Sequence, residues 1–347
     1  MAGCLKSPTL PVTVRQESRS FHDLFCIFPS IPDMDIDFRR LKHRIACLFA
    51  TVFVLWSFPT LAHAQRAAVT LAYQLTHVDT GEPFPSPDGK KIVFETSIAG
   101  FYQLFTMNPD GSSPTQITHD AATHDTPAWS PDGRKIAYAS DKTGHSVIYT
   151  INPDGTGEER ITDDRHEYIH PNWSPDSSKI IYCSDDDLKP PQKNASDIFS
   201  IDLKTRQVTT LITGGTNTYP SWSPSGDRIV FRRMIGEMNS EVFLANGDGS
   251  NPHNLTNHPA FDGWPAWSPD GTQIAFASNR NANYQIFTMN ADGSNVRLVA
   301  NTEGRATEPR WAPDGKFIYF TDCKKVDWGV DCQAFAAQVE QRVPGHP

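Results

Sequence analysis

Glu82, His124, Asp125, His170, Tyr219, Asp262, Trp264 and Glu308 are residues whose types and positions could do chemistry. Each stands a few residues ahead of one copy of a repeated, proline-centred segment. Carboxylate, imidazole, phenol and indole groups therefore recur at comparable places. Such a set could bind a polypeptide through polar and aromatic contacts. It could also hold a metal, since His124 and His170 with Asp125 or Asp262 are suitable ligand types. The two histidines stand at different offsets from Trp129 and Trp173, five residues and three, so the sequence does not aim them at one point. We expect no bound metal and no cofactor. No Gly-x-Ser-x-Gly elbow is present, and no catalytic residue is expected.

The elements that must position these residues are read from the repeats. Pro85-Ser86-Pro87-Asp88-Gly89 is followed by Trp129-Ser130-Pro131-Asp132-Gly133 and Trp173-Ser174-Pro175-Asp176-Ser177. Trp222-Ser223-Pro224-Ser225-Gly226, Trp267-Ser268-Pro269-Asp270-Gly271 and Trp311-Ala312-Pro313-Asp314-Gly315 complete the series. Their spacings are 44, 44, 49, 45 and 44 residues. Each Pro-Asp-Gly supplies a turn: Pro fixes φ, Asp bonds nearby backbone, Gly takes positive φ. Apolar and aromatic runs such as Lys135–Ala139 and Gln273–Ala277 follow as second strands. Third strands such as Gln103–Met107 and Gln285–Met289 end in Asn-x-Asp-Gly turns. These turns lack the late Glu of an EF-hand loop and read as hairpin turns.

Four short strands per repeat make the blade of a β-propeller. One blade cannot bury both its faces, whereas a closed ring lets each blade cover the next. The expected fold is all-β, a six-bladed propeller of four-stranded antiparallel blades. The last unit lacks a fourth strand, and the matching signature Tyr73-Gln74-Leu75-Thr76 stands before the first. The N-terminal strand is therefore expected to join the last blade and cover its edge.

The Trp-Ser-Pro-Asp-Gly runs, the Ile-x-Phe/Tyr strands and the Asp-Gly turns resemble the propeller of the TolB family and its WD40-like relatives. The resemblance spans about residues 67–340. TolB proteins carry an α/β domain before the propeller; here the repeats open soon after Ala64, so that domain is not expected. The resemblance implies that the eight residues named first ring one mouth of a central channel and contact a partner there. It implies a non-catalytic propeller, TolB-like, that binds a protein or peptide of the cell envelope. Related propellers that are enzymes imply an alternative: a lyase, hydrolase or lactonase acting on a carbohydrate or lactone, with a metal in the channel.

Charge and compartment fit that outline. The net charge is −9, so nucleic acid is not an expected partner. Arg39-Arg40 and Lys42-His43-Arg44 precede an apolar run, Ile45–Phe58, and then Ala62-His63-Ala64. This is the order of a secretory signal peptide, expected over 34–64 with cleavage near Ala64. The run is short for a membrane span, so no stable insertion is expected after cleavage. Residues 1–33 read as a misassigned start or a disordered leader, and 341–347 as a tail. The protein is expected to be periplasmic or secreted, and a monomer. Export places Cys323 and Cys332 in an oxidising compartment, on two strands of one hairpin, where a disulfide is expected. Cys183 reads as a buried small hydrophobe. Asp185-Asp186-Asp187 reads as part of a solvated insertion in the third unit.

Overall fold

The computed structural model describes residues 72–184, 195–236, 238–326 and 329–339. The leader, the signal-peptide segment, the tail and the Asp185–Asp187 insertion lie outside the described residues. The described chain is all-β. After β1 (Tyr73–Gln74) come blade 1, with β2 (Gly81–Pro85), β3 (Ile92–Ile98), β4 (Phe101–Met107) and β5 (Thr115–Gln116), and blade 2, with β6 (His124–Trp129), β7 (Ile136–Ser140), β8 (Val147–Ile151) and β9 (Glu159–Arg160). Blade 3 is β10 (Tyr168–Trp173), β11 (Lys179–Ser184), β12 (Ile198–Asp202) and β13 (Val208–Ile212). Blade 4 is β14 (Thr216–Trp222), β15 (Arg228–Gly236), β16 (Asn239–Asn246) and β17 (His253–Asn254). Blade 5 is β18 (Asp262–Trp267), β19 (Gln273–Ser278), β20 (Gln285–Asn290) and β21 (Arg297–Ala300), and blade 6 is β22 (Arg305–Trp311), β23 (Phe317–Val326) and β24 (Gly329–Gln338).

Each blade is one four-stranded antiparallel sheet, and blade 6 takes β1 as its outer strand. Tyr73 pairs with Ala336 and Gln74 with Phe335. Leu75 N–H then donates to Ala334 O at 2.7 Å, and buried Thr76 accepts the Ala334 N–H at 3.0 Å. The first strands β2, β6, β10, β14, β18 and β22 neighbour one another in a closed cycle. They therefore surround the axis.

The second strands are buried on both faces, which is why they read as unbroken apolar runs. Phe94, Tyr138, Tyr182, Phe231, Phe276 and Phe320 are fully buried, one per blade. Each packs its ring on an aromatic of the third strand, as in Tyr138–Tyr149 at 5.8 Å and Phe276–Phe287 at 5.9 Å. The Ser-Pro-Asp-Gly turns are built as their residues dictate. Ser130 Oγ donates to Asp132 Oδ1 at 2.7 Å, Asp132 accepts the Arg134 N–H, and Gly133 takes φ 72°. The same network in blade 3 holds the Asp176 carboxyl down at about 2, led by the hydrogen bond from Ser174. These aspartates are structural.

Cys323 and Cys332 face each other across the β23–β24 hairpin and are joined by a disulfide. Cys183 is buried and outside any disulfide.

Candidate binding site on the propeller axis

The first strand of every blade carries a β-bulge at the same place. In β6, Asp125 pairs with Ala139 and Ala128 with Ala137, so Thr126 and Pro127 together oppose Tyr138 alone. The same two-against-one register recurs in all six blades. The second bulge residue is always proline: Pro83, Pro127, Pro171, Pro220, Pro265 and Pro309. Proline has no N–H to contribute to a ladder and is tolerated at a bulge. The residue before it takes positive φ in each blade: Glu82 (46°), Thr126 (53°), His170 (53°), Tyr219 (54°), Trp264 (54°) and Glu308 (58°). A non-glycine residue in that region costs on the order of 1–3 kcal/mol, and such strain gathers at functional sites.

These six residues form a ring about the axis. A second ring faces it from the second strands, at the positions paired with the residue before each bulge. Its members are Glu95, Ala139, Cys183, Arg232, Ala277 and Thr321. The two rings interlock between blades. Thr126 N–H donates to Glu95 Oε2 at 2.9 Å, and Glu82 N–H donates to Thr321 Oγ1 at 3.0 Å. Thr321 Oγ1 in turn donates to Glu308 Oε2 at 3.0 Å.

Chemistry is divided unevenly around the rings. Blades 6, 1 and 2 contribute Glu308, Glu82, Glu95 and Asp125. Burial, then the charge of Glu308, pushes the Glu82 carboxyl well above its ordinary value, and Arg310 opposes this only in part. Burial, then Glu82, does the same to Glu95. Burial also raises Glu308, against the hydrogen bond from Thr321. Blades 3, 4 and 5 contribute aromatics and a cation. His170 lies 3.6 Å from Tyr219 between ring centres, Tyr219 lies 5.7 Å from Trp264, and Trp264 meets Phe261 and Tyr284. The Arg232 guanidinium sits over Tyr219 (4.9 Å), Phe261 (5.5 Å) and Trp264 (5.6 Å). Burial, then Arg232 and Arg310, holds His170 well below its usual value, so it is neutral at pH 7.

On the side of the Ser-Pro turns, the axis opens into a cavity of 330 Å³ lined by residues of all six blades, including Phe84, Trp129, Trp173, Trp222, Trp267 and Trp311. At the bulge ring a separate small space of 10 Å³ lies among Glu82, Thr126, His170, Tyr219 and Arg310. The opposite face carries the hairpins between second and third strands. Ile98, Phe101 and Tyr102 of blade 1, Ile235 and Met238 of blade 4 and Val330 of blade 6 stand exposed there.

Five of the eight residues expected at the rim, Glu82, His170, Tyr219, Trp264 and Glu308, are bulge residues. Asp125 precedes the bulge of blade 2 and raises the Glu82 and Glu95 carboxyls. His124 and Asp262 are corrected. Both are fully buried, two residues before their bulges. His124 packs on the Tyr138 ring at 5.5 Å, and its Nε2 is 2.5 Å from Asp120 Oδ1. Asp262 accepts from Arg280 at 2.9 Å within blade 5. Neither belongs to the rim, and the metal set of His124 and His170 with Asp125 or Asp262 does not assemble. Among the described residues no three His, Cys, Asp or Glu side chains could hold a metal ion.

Thr126, Glu95, Arg232 and Arg310 were not anticipated. The Pro two residues before each tryptophan marks the bulge in five blades, and counting from it yields Thr126. His166-Glu167-Tyr168-Ile169-His170 also matches the His-Glu-x-x-His spacing of metalloproteases. That chemistry needs a helix to put both histidines on one face. Here Tyr168–Trp173 is a strand, and Glu167 Oε2 accepts the Ser146 N–H at 2.8 Å.

The family model described as the TolB beta propeller domain matches residues 60–238 and 191–343. The chain belongs to the TolB β-propeller family. Among solved structures, the putative TolB from Agrobacterium tumefaciens is 22% identical with a TM-score of 0.58, covering 78% of this chain and 97% of that one. TolB from Acinetobacter baumannii is 20% identical with a TM-score of 0.57, covering 76% of this chain. This TolB-family chain spans 64% of that protein's length. An oligogalacturonate lyase from Vibrio parahaemolyticus is 13% identical with a TM-score of 0.55, covering 78% of this chain and 94% of that one. At these identities the likeness is one of fold. No curated protein matches the sequence.

Proposed function

We propose that this TolB-family propeller is an exported recognition module. It binds a protein or peptide of the cell envelope at the axial site, entered from the hairpin face. The observation that carries this reading is the six-bulge ring. Six non-glycine residues are held at positive φ before proline, and five of them bear a carboxylate, an imidazole or an aromatic group. A scaffold indifferent to function would relax these positions to glycine. The exposed apolar side chains on the hairpins beside the ring supply contact area for a polypeptide. The disulfide and the 34–64 segment support export to the periplasm or beyond. The test is photocrosslinking from position 102 or 238 in envelope preparations, with and without Glu82→Gln/Tyr219→Ala. A discrete polypeptide adduct, lost in the double variant, is expected. Adducts unchanged by the double variant would place binding elsewhere.

A second reading, an enzyme acting on a carbohydrate or lactone, draws on one observation. Burial raises the Glu82, Glu95 and Glu308 carboxyls, the direction of shift that suits a general acid. It requires turnover of an oligouronide or lactone that disappears in both Glu82→Gln and Glu308→Gln.

A further inference from the structure

Two other arginines of blades 4 and 5 are held by polar partners. Arg280 pairs with Asp262 at 2.9 Å, and Arg233 Nε donates to Asn217 Oδ1 at 2.7 Å. Arg232 Nε is buried without a hydrogen-bond partner among the described residues, and no carboxylate there pairs with its guanidinium. Its surroundings are built all the same. Three aromatic rings lie within 6 Å of the guanidinium carbon. Its stem crosses Gly263 of the next blade, where a Cβ would come within 3.0 Å of Arg232 Cδ. A glycine in β18 thus leaves room for an arginine that meets no counter-ion. Aromatic faces offset only part of the cost of withdrawing a guanidinium from water. Arg232 occupies the second-strand ring of blade 4, beside the bulge residue Tyr219.

We propose that the aromatic arc is an anion subsite in which Arg232 receives a carboxylate of the bound ligand. This rests on the reading of the axial ring as a binding site and adds the chemistry of its ligand. A guanidinium offers a planar pair of donors that fits a carboxylate with two parallel hydrogen bonds. Aromatic rings beside the guanidinium lower the local dielectric and strengthen that pairing. A phosphate dianion is disfavoured, because it brings a second charge and a third oxygen that two parallel donors leave unsatisfied. The ligand class is a peptide or small molecule with a single accessible carboxylate, presented by a chain end or an acidic side chain.

The test is titration of the whole exported protein, labelled at arginine with nitrogen-15, with N-acetyl-glycyl-tyrosine, its C-terminal amide and inorganic phosphate in turn. The Arg232 Nε–H signal is assigned from its absence in Arg232→Gln. The free acid is expected to shift that signal saturably and to bind about tenfold or more tightly than the amide or phosphate. Equal binding of acid and amide, no shift with the acid, or preference for phosphate would overturn the subsite. Melting temperature supplies a second readout. Arg232→Gln removes an unpaired, partly buried charge and is expected to melt at the same temperature or higher, whereas a marked loss would make Arg232 a structural brace and overturn the proposal. Retained crosslinks at position 102 or 238 with no carboxylate preference would leave the binding face standing and remove only its anion chemistry.

Discussion

The acidic arc of blades 6, 1 and 2 and the aromatic arc of blades 3, 4 and 5 are built on the same backbone. Each blade has the same bulge, the same proline and the same buried aromatic opposite it, yet the arcs store opposite electrostatic imbalances. One crowds carboxylates with Arg310 as partial relief; the other holds Arg232 without a counter-ion and keeps His170 neutral. The lesson is that a repeated fold separates scaffold from site within a few residues. Proline and the aromatic residue fix the bulge, and the residue between them is left to vary with function.

Four substitutions probe this contrast. The largest effect is expected for Trp264→Ala. Its indole is buried against Tyr219, Phe261 and Tyr284. Losing it is expected to cost about 3–5 kcal/mol in denaturant unfolding. A loss under about 1 kcal/mol would mean that the aromatic arc is not packed as described.

Next comes the acidic arc. A carboxyl raised in the folded state keeps its proton there after the unfolded chain has released it, so stability falls as pH climbs from the ordinary value of 4.5 through the folded one. Glu82→Gln should flatten that fall and raise the melting temperature at pH 7 by about 2–4 °C, the response to about 1 kcal/mol in a domain of this size. An unchanged pH slope would contradict the crowding.

Thr126→Gly tests the bulge itself. It relieves a β-branched residue at φ 53°. The relief exceeds the extra chain entropy of glycine, giving an expected gain of about 1 kcal/mol. A loss of stability would show that the threonine is not strained.

The smallest effect belongs to His170, whose shift has the opposite sign. Its folded value lies below the usual 6.5, so the unfolded chain binds the proton first and stability falls as pH drops below 6.5. His170→Gln should remove this contribution between pH 6.5 and 5 while leaving the high-pH slope intact. Thermal melts across that range compare the two.

The fold was legible because turn chemistry repeats at a fixed period, and because Tyr73–Thr76 carries the fourth-strand signature that blade 6 lacks. The site was legible only in part. Counting back three residues from the tryptophan, or from Pro85 in blade 1, lands on the bulge residues Glu82, His170, Tyr219, Trp264 and Glu308. It does not reveal that an extra residue reverses side-chain direction across the bulge. His124 and Asp262, two residues earlier, therefore point into their blades. Glu95 and Arg232 were hidden for another reason. They sit inside second-strand runs, Ile92–Ile98 and Arg228–Gly236, that read as buried core, and only the pairing register places them beside the axis.

The most direct test of the divided ring is carbon-13 titration of the glutamate side-chain carboxyls in the folded protein, with Glu82, Glu95 and Glu308 assigned by glutamine substitution. The account expects all three to titrate above 4.5 and the Glu82 midpoint to fall in Glu308→Gln. Ordinary midpoints for all three, unmoved by each other's removal, would mean that these carboxylates do not share one axis.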